Sequence, residues 1–186
     1  LDISGFAATA DGGDYQYLET WKAAAEDNTA AKTFKLSGAG TDRKASIFPT
    51  ELKGIPNLKL YCVANSTTLY QADGTAINPL TAVTTNAATG AIETEGTKAT
   101  DFEKYFTAKL LPTGTALGTP LVMTGSGTTK ILGNIATVNI ELKRRVSRFD
   151  IDNESAKTGL IIDSVSLGNG RNQSTVIPGT LAELDP

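Results

Sequence analysis

The sequence contains no histidine and a single cysteine, Cys62. Without an imidazole there is no Ser-His or Cys-His nucleophile pair, no imidazole general base and no histidine-rich metal site. A lone cysteine cannot form an internal disulfide or a thiolate zinc cage. These two absences exclude the commonest hydrolytic and zinc-dependent chemistries.

Aromatic residues and positive charge are also scarce. Aromatic side chains make up 6% of the 186 residues, and the formal net charge is −3. Nucleic acids and anionic membranes attract clustered Lys and Arg, so we predict no nucleic-acid partner. No apolar run approaches the ~20 residues that span a bilayer, so we predict no membrane-spanning segment. The chain is 40% hydrophobic and long enough to bury a core of its own.

Alternating apolar and polar residues predict β-strands. The clearest run is 58–64, in which Leu58, Leu60 and Cys62 share one face, so that Cys62 is expected to be a core residue. Two further strands are predicted over Thr137–Leu142 and over Leu160–Leu167, the second of which is apolar on both faces and suits the centre of a sandwich. Shorter strands are predicted at Thr33–Leu36, Ser46–Phe48, Thr68–Gln71, Ala91–Glu93 and Leu121–Thr124.

The phase of the alternation changes beyond Leu142. Val138, Ile140, Leu142 and Val146 have one parity, whereas Phe149 and Ile151 have the other. A regular strand cannot bury both sets on one face, so we expect a β-bulge, or a crossing between sheets, between Val146 and Phe149.

Two segments have helical spacing. Asp14–Glu26 places Leu18, Trp21 and Ala25 on one side, and Thr100–Leu110 follows a capping-box pattern and precedes Pro112. Trp21 is expected in the core. The residues therefore predict an all-β protein, a β-sandwich with short helices.

No motif in the sequence supports catalysis or cofactor binding. The two Gly-x-Gly runs at 38–40 and 125–127 lack the third glycine of a dinucleotide loop and the Gly-Lys-Ser/Thr of a phosphate loop. Asp150, Asp152 and Glu154 alternate as in a calcium loop, but the glycine and the final glutamate of that loop are missing. We therefore predict ordinary loops, no cofactor, no metal and no enzymatic activity.

Four stretches, taken together, resemble the fimbrillin family, the pilus subunits of Bacteroidales. Residues 136–152 (A-T-V-N-I-E-L-K-R-R-V-S-R-F-D-I-D) are similar to the family's V-x-V-x-L-x-R-x-V-A-R-F-D-I strand. Residues 120–125 (P-L-V-M-T-G) look like its P-x-x-M-[ST]-G segment, and residues 58–65 (L-K-L-Y-C-V-A-N) resemble its L-x-V-Y-V-F-A-x strand. Residues 160–167 (L-I-I-D-S-V-S-L) are similar to the strand that follows the R-F-D segment.

The resemblance implies a transthyretin-like, Greek-key β-sandwich of a type V pilus subunit. Such subunits are exported as lipoproteins to the outer membrane, and a trypsin-like protease removes an N-terminal segment. The groove this opens receives a strand from the neighbouring subunit, which is β-augmentation in physical terms. By this resemblance the chain is a single domain, 1–186, with 1–54 as an N-terminal decorated region and without the family's C-terminal sandwich.

The resemblance also singles out residues for assembly. The expected core strand or groove wall consists of Val138, Ile140, Leu142, Val146, Phe149 and Ile151. The positions expected to be accessible to a protease or to pair with acids are Arg144, Arg145 and Arg148. The partners would be other pilus subunits, with host glycan or protein as adhesion targets.

The alternative is a monomeric cell-surface module that binds glycan or protein through its loops. Fold alone does not separate this module from a pilus subunit. Exposed aromatic residues grouped at one end would favour the module, and Tyr61, Tyr70 and Tyr105 are the candidates.

Overall fold

The computed structural model describes residues 1–8, 13–49, 56–66, 68–77, 79–107, 120–131, 135–145, 159, 161–166 and 174–177. Within these residues there is one short helix, α1 (Ala99–Phe102), and the remaining regular structure is β-strand. The strands are β1 (Asp2–Ala8), β2 (Gln16–Ala24), β3 (Thr33–Lys35), β4 (Ser37–Ala39), β5 (Asp42–Lys44), β6 (Asn57–Ala64), β7 (Thr84–Thr85), β8 (Ile92–Thr94), β9 (Met123–Lys130) and β10 (Lys143–Arg144). The predicted all-β class is confirmed.

Six strands form the main sheet, in the order β10-β9-β6-β1-β2-β3. All neighbours are antiparallel except β2 and β3, which are parallel. β4 pairs with β5, and β7 with β8, as two separate two-stranded sheets. The first strand of the chain is thus a central strand of the main sheet, between β6 and β2.

A hydrophobic core lies on each face of the main sheet. Successive residues of β1 point to opposite faces, so this strand contributes apolar side chains to both cores. The first core lies on the face of Ile3 and comprises Ile3, Ala7, Leu18, Trp21, Phe34, Leu58, Leu60, Cys62 and Val83. The second core lies on the face of Phe6 and comprises Phe6, Tyr61, Val63, Ala99, Phe102 and Val176. The predicted strand at 58–64 is confirmed as β6, and Cys62 is a core residue whose burial raises its thiol pKa to about 11.

The predicted helix at Asp14–Glu26 is wrong, since these residues contain β2. The cause is a β-bulge: Gly5 pairs with Glu19 and Phe6 with Tyr17, which leaves Leu18 without a partner on β1. An extra residue in a strand brings side chains three positions apart to the same face, as a helix does. Leu18 and Trp21 therefore both enter the first core, and the expectation that Trp21 is buried is confirmed.

The other local predictions have mixed outcomes. The strands near 33–36 and 91–93 are found as β3 and β8, and the strand predicted from Leu121 begins at Met123 and continues to Lys130. The helix predicted over Thr100–Leu110 is limited to the single turn of α1, within described residues that end at 107. Residues 46–48 form no strand, and of Thr68–Gln71 only Tyr70 makes isolated β-bridges.

The helix is attached to the sheet through a half-buried polar contact. Glu103, at the end of α1, accepts hydrogen bonds at Oε1 from Lys59 Nζ at 2.7 Å and from Tyr61 Oη at 2.5 Å. Burial alone would raise the carboxyl pKa of Glu103, but the hydrogen bonds from Lys59 and Tyr61 outweigh it and lower the pKa. Burial and the same carboxylate raise the pKa of Tyr61. Beside this contact, the rings of Phe6, Tyr61 and Phe102 pack with centroids 5.0–5.2 Å apart.

This contact predicts a defined loss of stability in acid. A carboxyl group with a lowered folded-state pKa stabilises the fold above its ordinary pKa of 4.5 and loses that contribution as the pH falls through the folded value. We expect Glu103→Gln to lower the free energy of unfolding by about 1 kcal/mol at neutral pH, because it removes the charge that pairs with Lys59. The difference from the parent protein should shrink as the pH falls below 4.5.

Urea denaturation between pH 3 and pH 7 measures this difference. The control is Asp101→Asn on the same helix, since Asp101 pairs with Lys104 in the open, at 3.4 Å. We expect that variant to match the parent within ~0.5 kcal/mol. A gap between Glu103→Gln and the parent that stayed constant across this pH range would contradict the assignment.

Candidate assembly edge

Within the described part of the chain, strand β9 is paired along its whole length on one side and at only two residues on the other. All eight of its residues, Met123–Lys130, are in register with β6. On the opposite side β10 pairs with Met123 and Thr124 alone. We call the remainder of this side, from Gly125 to Lys130, the outer edge of β9.

The hydrogen bonds at the two ends of β9 reveal which way its backbone groups point. Ile131 N–H donates to the Pro56 carbonyl at 2.8 Å, so residues of odd number in β9 face β6. Arg145 N–H donates to the Val122 carbonyl at 3.0 Å, so residues of even number face outward. The backbone N–H and C=O groups of Ser126 and Thr128 therefore point away from the sheet. Among the described residues no backbone group pairs with them, which makes this an open edge.

The chain before β10 leaves this edge open because it lies across the face of β9 instead of beside it. Two glycines permit that approach. A Cβ added to Gly127 would stand 2.6 Å from Val138 Cγ2 and 3.1 Å from Ile140 Cγ1, and a Cβ added to Gly125 would overlap the Glu141 carbonyl oxygen. The segment 138–142 therefore covers the first core and joins the plane of the sheet only at Lys143.

The predicted assembly residues in this segment have the expected alternation. Val138, Ile140 and Leu142 are half-buried against the first core, whereas Asn139 and Glu141 are exposed. The expectation of a paired strand over Thr137–Leu142 is wrong, because pairing begins only at Lys143. The other predicted members, Val146, Phe149 and Ile151, lie outside the described residues, as do Arg148 and the bulge expected between Val146 and Phe149.

The two arginines predicted to be accessible differ in their surroundings. Arg144 is exposed in β10, at the margin of the sheet. Arg145 is half-buried, and its Nε donates to the Thr175 carbonyl at 3.0 Å. Burial lowers the pKa of the Arg145 guanidinium. Arg144 is thus the more accessible of the two arginines, whereas Arg145 holds the segment 174–177 through its hydrogen bond to Thr175.

The segment 174–177 extends the second core next to this edge. Val176 is fully buried, and its N–H donates to the Tyr105 carbonyl at 2.9 Å. Thr107 N–H donates to the Ser174 carbonyl at 2.8 Å. Nothing in the sequence singled out this segment, since four residues without alternation carry no strand signal.

Exposed basic side chains lie at this edge. Lys130, Lys143 and Arg144 are all exposed, and so is Glu141, whose carboxylate lies 3.6 Å from Lys143 Nζ with both side chains largely in solvent. An exposed ion pair of this kind is weak. Lysines at an open edge also discourage indiscriminate pairing with other strands.

The described residues support neither a metal site nor an aromatic binding surface. They contain no cluster of three His, Cys, Asp or Glu side chains able to hold a metal ion, and they include no helix of sufficient length and apolarity to cross a membrane. Of the aromatic residues proposed for a binding surface, Tyr61 is completely buried, and Tyr70 and Tyr105 are half-buried. Of the three candidates, Tyr61 is therefore a packing residue of the second core.

Comparison with known proteins identified no relative: no family model matches the chain, and no curated protein or solved structure matches it significantly.

The close approach at Gly125 yields a test of the edge geometry. We expect Gly125→Ala to lower the free energy of unfolding by about 1–3 kcal/mol, because the added methyl meets a backbone oxygen that no change of rotamer moves away. Ser126→Ala, at the next residue on the exposed side of the strand, should be nearly neutral. Denaturant titration compares the two variants. Equal stabilities would show that residues 138–142 do not lie on this face.

Proposed function

We propose that the protein is a structural subunit of a bacterial surface pilus, and that it assembles by accepting a strand from a neighbouring subunit at the outer edge of β9. The observation that carries this proposal is the open edge at Ser126 and Thr128 beside the half-buried apolar residues Val138, Ile140 and Leu142. An added strand would satisfy the outward backbone groups and cover apolar surface at the same time, which is how β-augmentation gains affinity.

The opposite end of the sheet is a poorer acceptor. β3 is only three residues long, and a strand this short presents few backbone groups for pairing. The first half of β2 already has partners there: Tyr17 N–H donates to the Thr97 carbonyl at 2.8 Å, and the Tyr17 carbonyl accepts from Val83 N–H at 2.7 Å. The outer edge of β9 is therefore the better place for a partner strand.

The resemblance to fimbrillins supports the same location. Three of its four stretches, residues 58–65, 120–125 and 136–152, include parts of β6, β9 and β10, which are consecutive neighbours in the sheet. The proposal includes what the family implies: a transthyretin-like Greek-key sandwich, export to the outer membrane, and proteolytic removal of an N-terminal segment before assembly. Adhesion to a host surface would be a property of the assembled pilus.

Substitution of Thr128 by proline tests the acceptor edge. The N–H of Thr128 points outward and has no acceptor among the described residues, so proline at this position removes a donor available to an added strand and leaves the pairing with β6 intact. If the proposal holds, the parent protein forms a ladder of oligomers on unheated gels that collapses on heating, and high-mass species in light scattering. We expect Thr128→Pro to abolish both. The monomer should keep its far-ultraviolet circular dichroism spectrum.

Thr128→Val is the matched control, because it changes the same side chain and retains the N–H. It should assemble as the parent does. Normal assembly of Thr128→Pro would exclude the outer edge of β9 as the acceptor, and a parent protein purified from its native host that remained monomeric would contradict the pilus proposal itself.

A further inference from the structure

We propose that residues 138–142 form a strap with two positions: across the face of β9, as in the structure, and beside β9, where they extend β10 and close the outer edge. In the second position the edge cannot accept a strand, so the strap regulates the assembly site. The position across the face is the favoured one, since the edge is open in the structure. This inference rests on the proposed function, because it concerns the same edge.

The strap has no hydrogen-bonding partner along its backbone. Among the described residues no backbone N–H or C=O group of residues 138–142 is paired, although the apolar side chains of the strap are half-buried against the first core. Residues 161–166 are unpaired as well, so the prediction of a central strand over Leu160–Leu167 is wrong for them. The strap differs from that segment because its neighbouring strand is known.

Strand β10 sets the register that the strap would have beside β9. The two strands are antiparallel, with Lys143 opposite Thr124. Arg145 N–H donates to the Val122 carbonyl, so odd-numbered residues on this side turn their backbone groups toward β9. Continuing the ladder along the strap gives two further hydrogen-bonded pairs, Glu141 with Ser126 and Asn139 with Thr128. These pairs would satisfy the backbone groups that are open in the structure.

The side chains of the strap fit this register. Residues opposite each other in a ladder point to the same face, so Ile140 and Leu142 would share the face of Gly127 and Gly125, on which the first core lies. The polar residues of the strap would lie beside the exposed hydroxyl side chains of β9. The alternation that predicts a paired strand over Thr137–Leu142 is therefore compatible with the second position.

The glycines of β9 favour the position across the face. A Cβ at Gly127 would stand 2.6 Å from Val138 Cγ2, and a Cβ at Gly125 would overlap the Glu141 carbonyl oxygen. These contacts also show that the strap already runs antiparallel to β9, so a sideways shift of ~4.8 Å, one strand spacing, connects the two positions. A side chain at Gly125 would displace the strap toward the edge. The resulting loss of stability is then limited to the free energy that separates the two positions.

A disulfide between Asn139→Cys and Thr128→Cys traps the second position. There the two residues would be directly opposite, with Cα atoms ~5.5 Å apart, which a disulfide can span. In the structure they lie on opposite sides of β9, because Asn139 belongs to the strap over the first core and Thr128 shares the face of Lys59. We expect mild oxidation of the monomer to join them within one chain. The native Cys62 is buried.

Ser126→Cys with Asn139→Cys is the matched control. This pair is offset by two residues in the closed register, beyond the ~7 Å that a disulfide bridges, and it should remain reduced.

Closure of the strap should block the assembly site. In the oxidised Asn139→Cys, Thr128→Cys variant the amide of Ser126 should exchange with solvent more slowly than in the reduced variant, by about tenfold or more. The oxidised variant should not assemble until a reductant is added. Gly125→Ala, which introduces no cysteine, should slow exchange of the Thr128 amide and reduce assembly, whereas a variant that was only destabilised would exchange this amide faster.

The outcomes separate the two proposals. If the reduced variant assembles, and the cysteine pair does not form a disulfide or the oxidised variant assembles equally well, the pilus proposal stands and the strap does not regulate the edge. If neither the parent nor the reduced variant assembles, the pilus proposal is overturned. The disulfide and the exchange of the Ser126 amide then decide by themselves whether the strap has its second position.

Discussion

The fold depends on the position of β1, which lies between β6 and β2 and sends apolar side chains to both sides. Ile3 and Ala7 enter the first core, and Phe6 enters the second. Because a central strand has both neighbours in place, its backbone groups are satisfied within the sheet, and a one-residue slip in its pairing would move every one of its side chains to the wrong face. The space for Trp21 also depends on β1, since a Cβ on Gly5 would stand 2.8 Å from the indole ring.

The outer edge of β9 depends on a different constraint, at the other end of the sheet. Residues 138–142 lie across the glycines of β9 and pack against the first core instead of pairing beside the strand. Among the described residues, the edge is therefore covered on one face and open along its backbone. An edge of this kind is stable in a monomer only if something discourages random pairing, and Lys130, Lys143 and Arg144 have that effect by their charge.

Sequence patterns are sufficient to predict a strand in which apolar and polar residues alternate without interruption. They predict β6 almost to the residue. They failed at β2, because a bulge at Leu18 reproduces helical spacing in a strand. The run Gly125-Ser126-Gly127 predicts a loop from its composition but lies within β9, since nothing in the run shows that glycine serves there to admit another segment. The alternation of apolar and polar residues is enough to predict that Val138, Ile140 and Leu142 face the core. Whether the backbone groups of Ser126 and Thr128 are open depends instead on which strands pair with β9. Pairing partners far apart in sequence leave no local signal.

The most direct test of the account is amide hydrogen exchange at single-residue resolution in β9, before and after assembly. In the monomer the amides of Ser126 and Thr128 should exchange rapidly, while those of Gly125 and Gly127, which face β6, should be protected. In the assembled protein all four should be protected. Equal protection of the four amides in the monomer, or continued rapid exchange of Ser126 and Thr128 after assembly, would contradict the open edge as the site at which subunits join.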